Sequence, residues 1–187
     1  MAIDEIIDAM ISIHPLERVP RAGFLLRGVT EPESVAAHSH SLALLTLMAC
    51  NEYPDDFDSS KAVEMALIHD IQEVQTMDIP LPVGSTEFRA AKEDTEEEIF
   101  KRLFAGVSPA LAERYAEFRR CDSPEAKLVR GLDKVQMMVK VLCYQRENRG
   151  YLDAFWEHRH NFPDFDMPVL KALFEAVARK AGRKPPR

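Results

Sequence analysis

The sequence predicts an all-α protein: one domain over residues 1–180, followed by a basic tail at 181–187. Three observations carry that expectation. Apolar residues recur at intervals of three and four in segment after segment, as they do along one face of a helix. No stretch alternates apolar with polar, as a half-buried strand would. The 187 residues, 46% hydrophobic and 29% charged, suit a single soluble domain able to bury a core of ordinary size. There is no internal repeat and no low-complexity tract.

In chain order, Ile6, Ile7, Met10 and Ile11 form one stripe within a first amphipathic helix over Ile3–Ile13, which His14-Pro15 closes. From Pro15 to Pro32 the glycines Gly23 and Gly28 and the cations Arg18, Arg21 and Arg27 predict an ordered loop. Ser34 is a plausible N-cap for a helix reaching about Glu52. That helix is apolar nearly all round from Leu42 to Cys50, so it belongs inside the domain, and it draws His38 and His40 towards the core. Ser59 or Ser60 is the expected cap of the next helix, whose inner stripe is Val63, Ala66, Leu67 and Ile71. Pro80 and Pro82 force the chain out of helix beyond it, which leaves Asp78 at the exit. Thr86–Leu103 is charge-dense and reads as a solvated helix, and Pro109–Arg119 as a shorter one. Ser123 starts an incomplete capping box for a long helix with Leu128, Leu132, Val135 and Val139 on its stripe. Tyr151–His160 is expected to form a short aromatic helix with surface histidines at 158 and 160, and Val169–Val177 the last helix.

The charge and cysteine content narrow the function. A net charge of −7 argues against a general nucleic-acid or anionic membrane surface, so polymeric nucleic acid is not an expected partner. No apolar run is long enough to span a bilayer, and the acidic N-terminus carries no signal core. The cysteines Cys50, Cys121 and Cys143 are widely spaced, as free thiols in a reducing compartment would be. A cytoplasmic protein is the expectation.

The chemistry gathers in Ala66-Leu67-Ile68-His69-Asp70-Ile71-Gln72-Glu73. On a helix, His69 and Glu73 at i and i+4, and Asp70 and Glu73 at i and i+3, share one flank. Neutral imidazole and carboxylate are both good ligands for a borderline divalent ion. At Asp133, beside Leu132, a carboxylate at the edge of an apolar stripe calls for a cation, a donor or a metal.

Taken together, Arg18-Val19-Pro20-Arg21-Ala22-Gly23, Pro32-Glu33-Ser34-Val35 leading into His38, His69-Asp70 with Glu73, Asp78-Ile79-Pro80, and Lys127-Leu128-Val129 leading into Asp133 resemble the HD-domain metal-dependent phosphohydrolases. Within that family they are similar to the small 5′-deoxynucleotidase branch, over about residues 15 to 180. The resemblance implies an HD-type helical bundle and one divalent transition metal on His38, His69, Asp70 and Asp133. The ion would be Mn, Co or Fe, with Mg or Zn compatible, and one or two positions would stay open for water and substrate. It implies that Arg21 contacts the substrate phosphate, that Glu73 orients water or exchanges protons with it, and that Asp78 protonates the departing sugar oxygen or positions the nucleotide. The expected reaction converts a 2′-deoxynucleoside 5′-monophosphate to deoxynucleoside and phosphate, and a homodimer is the expected assembly.

Three positions depart from the family pattern, one of them the aromatic residue of the Arg21 loop, Trp in many relatives, which here is Phe24 or is missing. Ala37 stands where an acidic residue commonly precedes the first metal histidine, and Met77 where glycine commonly precedes the exit aspartate. They keep open a phosphohydrolase for another nucleotide or small phosphate ester, or a catalytically weak nucleotide-binding HD protein. A dinuclear oxygen-using centre is disfavoured, because no histidine lies between His69 and His158.

Overall fold

The computed structural model describes residues 3–80, 85–104 and 106–184; Leu81 and Pro82 of the exit stretch and the last three residues of the tail lie outside them. Within these bounds the chain is helical with no strand, only an isolated bridge between Pro20 and Ser34. The helices are α1 (Ile3–Ile13), α2 (Ala22–Leu25), α3 (Val35–Glu52), α4 (Ser59–Ile68), α5 (Glu73–Thr76), α6 (Thr86–Phe104), α7 (Pro109–Arg120), α8 (Pro124–Arg146), α9 (Asp153–Glu157) and α10 (Pro168–Lys180). Short 3₁₀ turns at His14–Arg18 and Arg159–Asn161 complete the path.

Local chemistry sets most boundaries. The Ser34 side chain accepts from the Ala37 amide at 3.2 Å and starts α3. Ser123 does the same for α8 with the Ala126 amide at 3.3 Å, with Pro124 in the first turn. The cap of α4 is Asp58, which accepts from the Lys61 amide at 3.0 Å; Ser59, an expected cap, is instead the first helical residue. The 15–32 loop is more regular than its composition suggests, because it holds a 3₁₀ turn and the single-turn α2.

α3, α4 and α8 form the centre, with α7 and α10 packed on α8. Leu42, Met65, Leu128, Leu132, Met138 and Leu170 fill the main core. A second cluster, including Leu16, Val19, Ile68, Phe100 and Tyr115, ties the N-terminal turns and α6 to α7, with the Phe100 and Tyr115 rings stacked at 4.0 Å. At Gly131 of α8 a Cβ would lie 2.2 Å from Leu170 Cδ1, so any larger residue there must displace the buried Leu170 side chain of α10. At the C-terminal end, Arg183 donates to Asp153 and lies over the Trp156 ring.

α4 does not continue through the His-Asp pair. It ends at Ile68, and residues 69–72 form tight turns before α5. The side chains cause the break. His69 Nδ1 lies 2.9 Å from the Ala66 carbonyl, the acceptor a continued helix would offer to residue 70, and Gln72 Nε2 donates to the His69 carbonyl at 2.9 Å. The Glu73 amide bonds back three residues to the Asp70 carbonyl at 3.0 Å. In such a three-residue turn, side chains at i and i+3 eclipse, so Asp70 and Glu73 still converge.

α5 ends on Met77, whose φ of 63° and ψ of 166° fall in a region that glycine alone occupies without strain. Its amide nonetheless bonds to the Glu73 carbonyl at 2.9 Å. The conformation aims Asp78 back at the Arg21 loop. Met77→Gly is expected to stabilise the fold by about 1 kcal/mol, the relief of strain exceeding the entropy cost of glycine. A thermal melt should move up by roughly 2–4 °C for a chain of this size; an unchanged or lower midpoint would mean that the strain is small.

Candidate active site

His38 comes from near the start of α3, His69 and Asp70 from the turn after α4, and Asp133 from the middle of α8, so α3 and α8 bring one group each, and the turn after α4 two, to a common point. His38 Nε2 is 3.1 Å from Asp133 Oδ1 and 4.0 Å from Asp70 Oδ2, and His69 Nε2 is 3.0 Å from Asp70 Oδ2. One ligand atom each from His38, His69 and Asp133 lies within 4.8 Å of the others. His38 Nε2, His69 Nε2 and Asp133 Oδ1 are all buried and make no hydrogen bond. Three lone-pair atoms left bare together, away from water, would be costly unless a cation is what they face. The donor set of imidazole nitrogen and carboxylate oxygen fits a divalent transition metal.

Both imidazoles are held in the tautomer that suits this use. His38 Nδ1 is 2.6 Å from Gln136 Oε1, an acceptor, and His69 Nδ1 is 2.9 Å from the Ala66 carbonyl. Each Nδ1 therefore carries the proton, and each Nε2 presents its lone pair. Behind His38 the chain extends further. Gln136 Nε2 donates to the Glu33 carboxylate at 3.1 and 3.3 Å, and Lys140 Nζ pairs with Glu33 Oε2 at 3.1 Å. Glu33 and Gln136 were not foreseen as site residues, although their signal was present. Asp133, Gln136 and Lys140 sit at i, i+3 and i+7, three polar residues on one face of a helix whose neighbouring positions Leu132, Val135 and Val139 are apolar.

Arg21 reaches into the site from the turn before α2. Its Nη1 is 3.4 Å from Asp70 Oδ2 and 3.7 Å from Asp78 Oδ2, and its Nη2 is 4.0 Å from Asp133 Oδ1. Burial opposes its charge, but Asp78, Asp70 and Asp133 together raise its pKa above the usual value. Asp78 Oδ2 also accepts from the Ala22 amide at 2.9 Å, which locks the Arg21 loop to the exit turn. Glu73 is buried beside this group. Burial, and then the neighbouring Asp70 and Asp78 carboxylates, push its pKa up to about 10, so its carboxyl can hold a proton at neutral pH. His40 is exposed, in keeping with its exclusion from the ligand set.

A cavity of about 550 Å³ opens over Arg21, Asp70, Glu73, Asp78 and Asp133. Its lining also includes Phe24 and Phe155, stacked at 5.4 Å between centroids, and Met137. His158 and His160 are exposed, as expected of surface residues, and they also border this cavity.

Comparison with known proteins agrees with this geometry. The HD-domain family model matches residues 13–163. The chain is 33% identical over 176 residues to the 5′-deoxynucleotidase HDDC2 of Bos taurus, covering 89% of this chain and 83% of that protein. It is 25% identical over 144 residues to the 5′-deoxynucleotidase hdd1 of Schizosaccharomyces pombe, covering 74% and 71% of the two chains. A Pyrococcus horikoshii protein of known crystal structure superposes with a TM-score of 0.74 at 33% identity, covering 94% of this chain and 98% of its own. By the extent of these matches, the chain belongs to the HD-domain family and, within it, to the 5′-deoxynucleotidases.

Proposed function

We propose that this protein hydrolyses 2′-deoxynucleoside 5′-monophosphates to deoxynucleoside and phosphate. The observation that carries the reading is the meeting of three bare, buried ligand atoms, from His38, His69 and Asp133, next to a cavity that Asp133 and Asp70 line together with Phe24 and Phe155. A volume of about 550 Å³ is within the range of small-ligand sites, and the Phe24–Phe155 wall offers a face for a base.

The ligands in this proposal are His38, His69, Asp70 and Asp133, and the ion is Mn, Co or Fe. When bound, such an ion lowers the pKa of water and polarises a phosphoryl oxygen. Arg21 holds the phosphate dianion: its planar guanidinium already lies among the carboxylates of the site and can turn a fork of donors to phosphate oxygens. Glu73, whose carboxyl can hold a proton at neutral pH, orients the attacking water, gives its proton to the departing oxygen and takes one from water in return. Asp78 serves by position, since one of its oxygens is engaged with the Ala22 amide and faces Arg21.

The test is phosphate release from paired ribo- and deoxyribonucleoside monophosphates, after chelation and then with Mn²⁺ or Co²⁺ restored. Release from the deoxy members, only with metal restored, is expected; silence across the panel with metal demonstrably bound would overturn the assignment.

Two wider features belong to the same proposal. A homodimer is supported by the outward apolar residues of α1, where Ile3, Ile7, Met10 and Ile11 are all exposed, and light scattering on the purified protein would decide it. Residence in the cytoplasm is supported by three unpaired cysteines. Among the described residues, no helix is long and apolar enough to cross a membrane.

A further inference from the structure

The metal-ligand cluster is flanked by a second cavity, of about 270 Å³, which shares Asp70, Glu73, Asp133 and Lys134 with the larger one but is otherwise walled by different residues. Where the first adds Arg21, Asp78 and an aromatic wall to those shared residues, this one adds the cations Lys92, Arg119 and Arg130 and the acid Glu96. Glu96, buried on its wall, is neutralised by Lys92 and by Arg119 Nη1 at 3.4 Å, and Lys134 Nζ lies 3.0 Å from Asp133 Oδ2. Arg119 also reaches the exposed Glu93 at 3.4 Å, so its contacts are long and divided. Arg130 is held in place by the Phe118 and Arg119 carbonyls and by the Phe118 ring, 5.0 Å below its guanidinium. Among the described residues no carboxylate pairs with Arg130. A half-buried guanidinium fixed by neutral groups, beside a second one loosely held, is an arrangement that an anion completes.

The chemistry of phosphate-ester hydrolysis requires two faces. The oxygen of water bonds to phosphorus as the bond from phosphorus to O5′ breaks, one water proton ends on O5′, and the other stays on the phosphate. Attacking and departing oxygens lie roughly in line, so the nucleoside leaves on one side of phosphorus and water arrives on the other. If the nucleoside occupies the aromatic cavity, the cationic one lies on the face where water enters and where the freed phosphate can depart.

Resting on the function proposed above, we infer that the second cavity is a binding site for the orthophosphate product, held by Arg130 and Arg119 with Lys134, and that phosphate leaves through it while the nucleoside side is separately occupied. Two consequences are measurable. Orthophosphate added to the metal-loaded enzyme inhibits in a mixed pattern, lowering the maximal rate as well as competing with nucleotide, because it binds a cavity that substrate does not fill. In isothermal titration of the metal-loaded protein with orthophosphate, Arg130→Gln and Arg119→Gln each weaken binding about tenfold, the loss of one charge-assisted hydrogen bond. Arg119→Gln leaves Glu96 paired with Lys92, so one of the two variants keeps its fold even if the other does not; Arg119→Lys restores part of the affinity. Strictly competitive inhibition, or orthophosphate affinity unchanged in both glutamine variants, would overturn the inference. Should no nucleotide be hydrolysed at all, the hydrolase assignment fails by itself, and the calorimetric comparison still decides whether the cavity takes phosphate.

Discussion

Glu73→Gln is expected to lower turnover of a deoxynucleoside monophosphate by about 10²–10⁴-fold, the usual worth of a placed proton-transfer group, while the protein still binds one equivalent of metal. The separation of the two effects follows from geometry. Glu73 lies a full three-residue turn beyond Asp70 and does not contribute an atom to the cluster of His38, His69 and Asp133. Glutamine fills the same volume and keeps a hydrogen-bonding end, but it can neither accept a proton from water nor return one. Folding should not suffer. Burial first, and then the neighbouring Asp70 and Asp78 carboxylates, raise the proton affinity of the native carboxyl, so a neutral amide matches the uncharged form that this site favours. Steady-state kinetics beside metal stoichiometry and a thermal melt make the check. Wild-type turnover would remove Glu73 from the proton path, whereas lost metal would make it a ligand or a ligand support.

The contrast between what could and could not be read from the sequence has physical causes. His38, His69 and Asp133 stand out because each is a polar residue in an apolar helical run, where burial demands a partner, and the structure brings all three together. At Asp133 the neighbour Leu132 and the stripe of α8 called only for a cation, a donor or a metal, and the family resemblance made it a ligand. The break at Ile68 was hidden, because Val63, Ala66, Leu67 and Ile71 continue a helical period through it. What ends α4 is a pair of side-chain bonds from His69 and Gln72 to backbone carbonyls, and periodicity does not register such bonds. The cavity wall was hidden for a different reason. Phe155, His158 and His160 are carried by a segment whose path is set by contacts distant in sequence. Gly150, at φ 71°, lies so close to Val29 and the Arg27 carbonyl that a Cβ would come within 2.8 Å of both, and the Tyr151 amide donates to that carbonyl at 2.7 Å. Nothing local to residues 150–160 announces that closure. The cation set of the second cavity is scattered in the same way over α6, α7 and α8, where each Lys or Arg alone reads as surface charge.

Gln136→Leu is the second variant from which a large effect is expected, and it tests a layer that touches no substrate. The amide of Gln136 stands between the His38 ring and the Glu33 carboxylate: its oxygen accepts from Nδ1 at 2.6 Å and its nitrogen donates to Glu33 at 3.1 Å. Leucine occupies similar space and offers neither. Glu33 keeps Lys140 as a partner, but the Nδ1 proton of His38, in a side chain with 0% exposure, loses its acceptor at 2.6 Å, and Glu33 Oε1, at 3.9 Å, is too far to replace it without a shift. That loss costs stability by about 1–3 kcal/mol. It also frees the ring to turn or to change tautomer, and once the proton moves to Nε2 no lone pair faces the cluster. Metal affinity should therefore fall about 10–100-fold, measured by competition with a chelating dye, and activity should return when metal is supplied in excess. A structural role alone would lower the melting point without shifting the metal titration. Unchanged affinity in a folded Gln136→Leu protein would show that packing of α3 against α8, and not the hydrogen-bonded chain behind it, orients the first histidine.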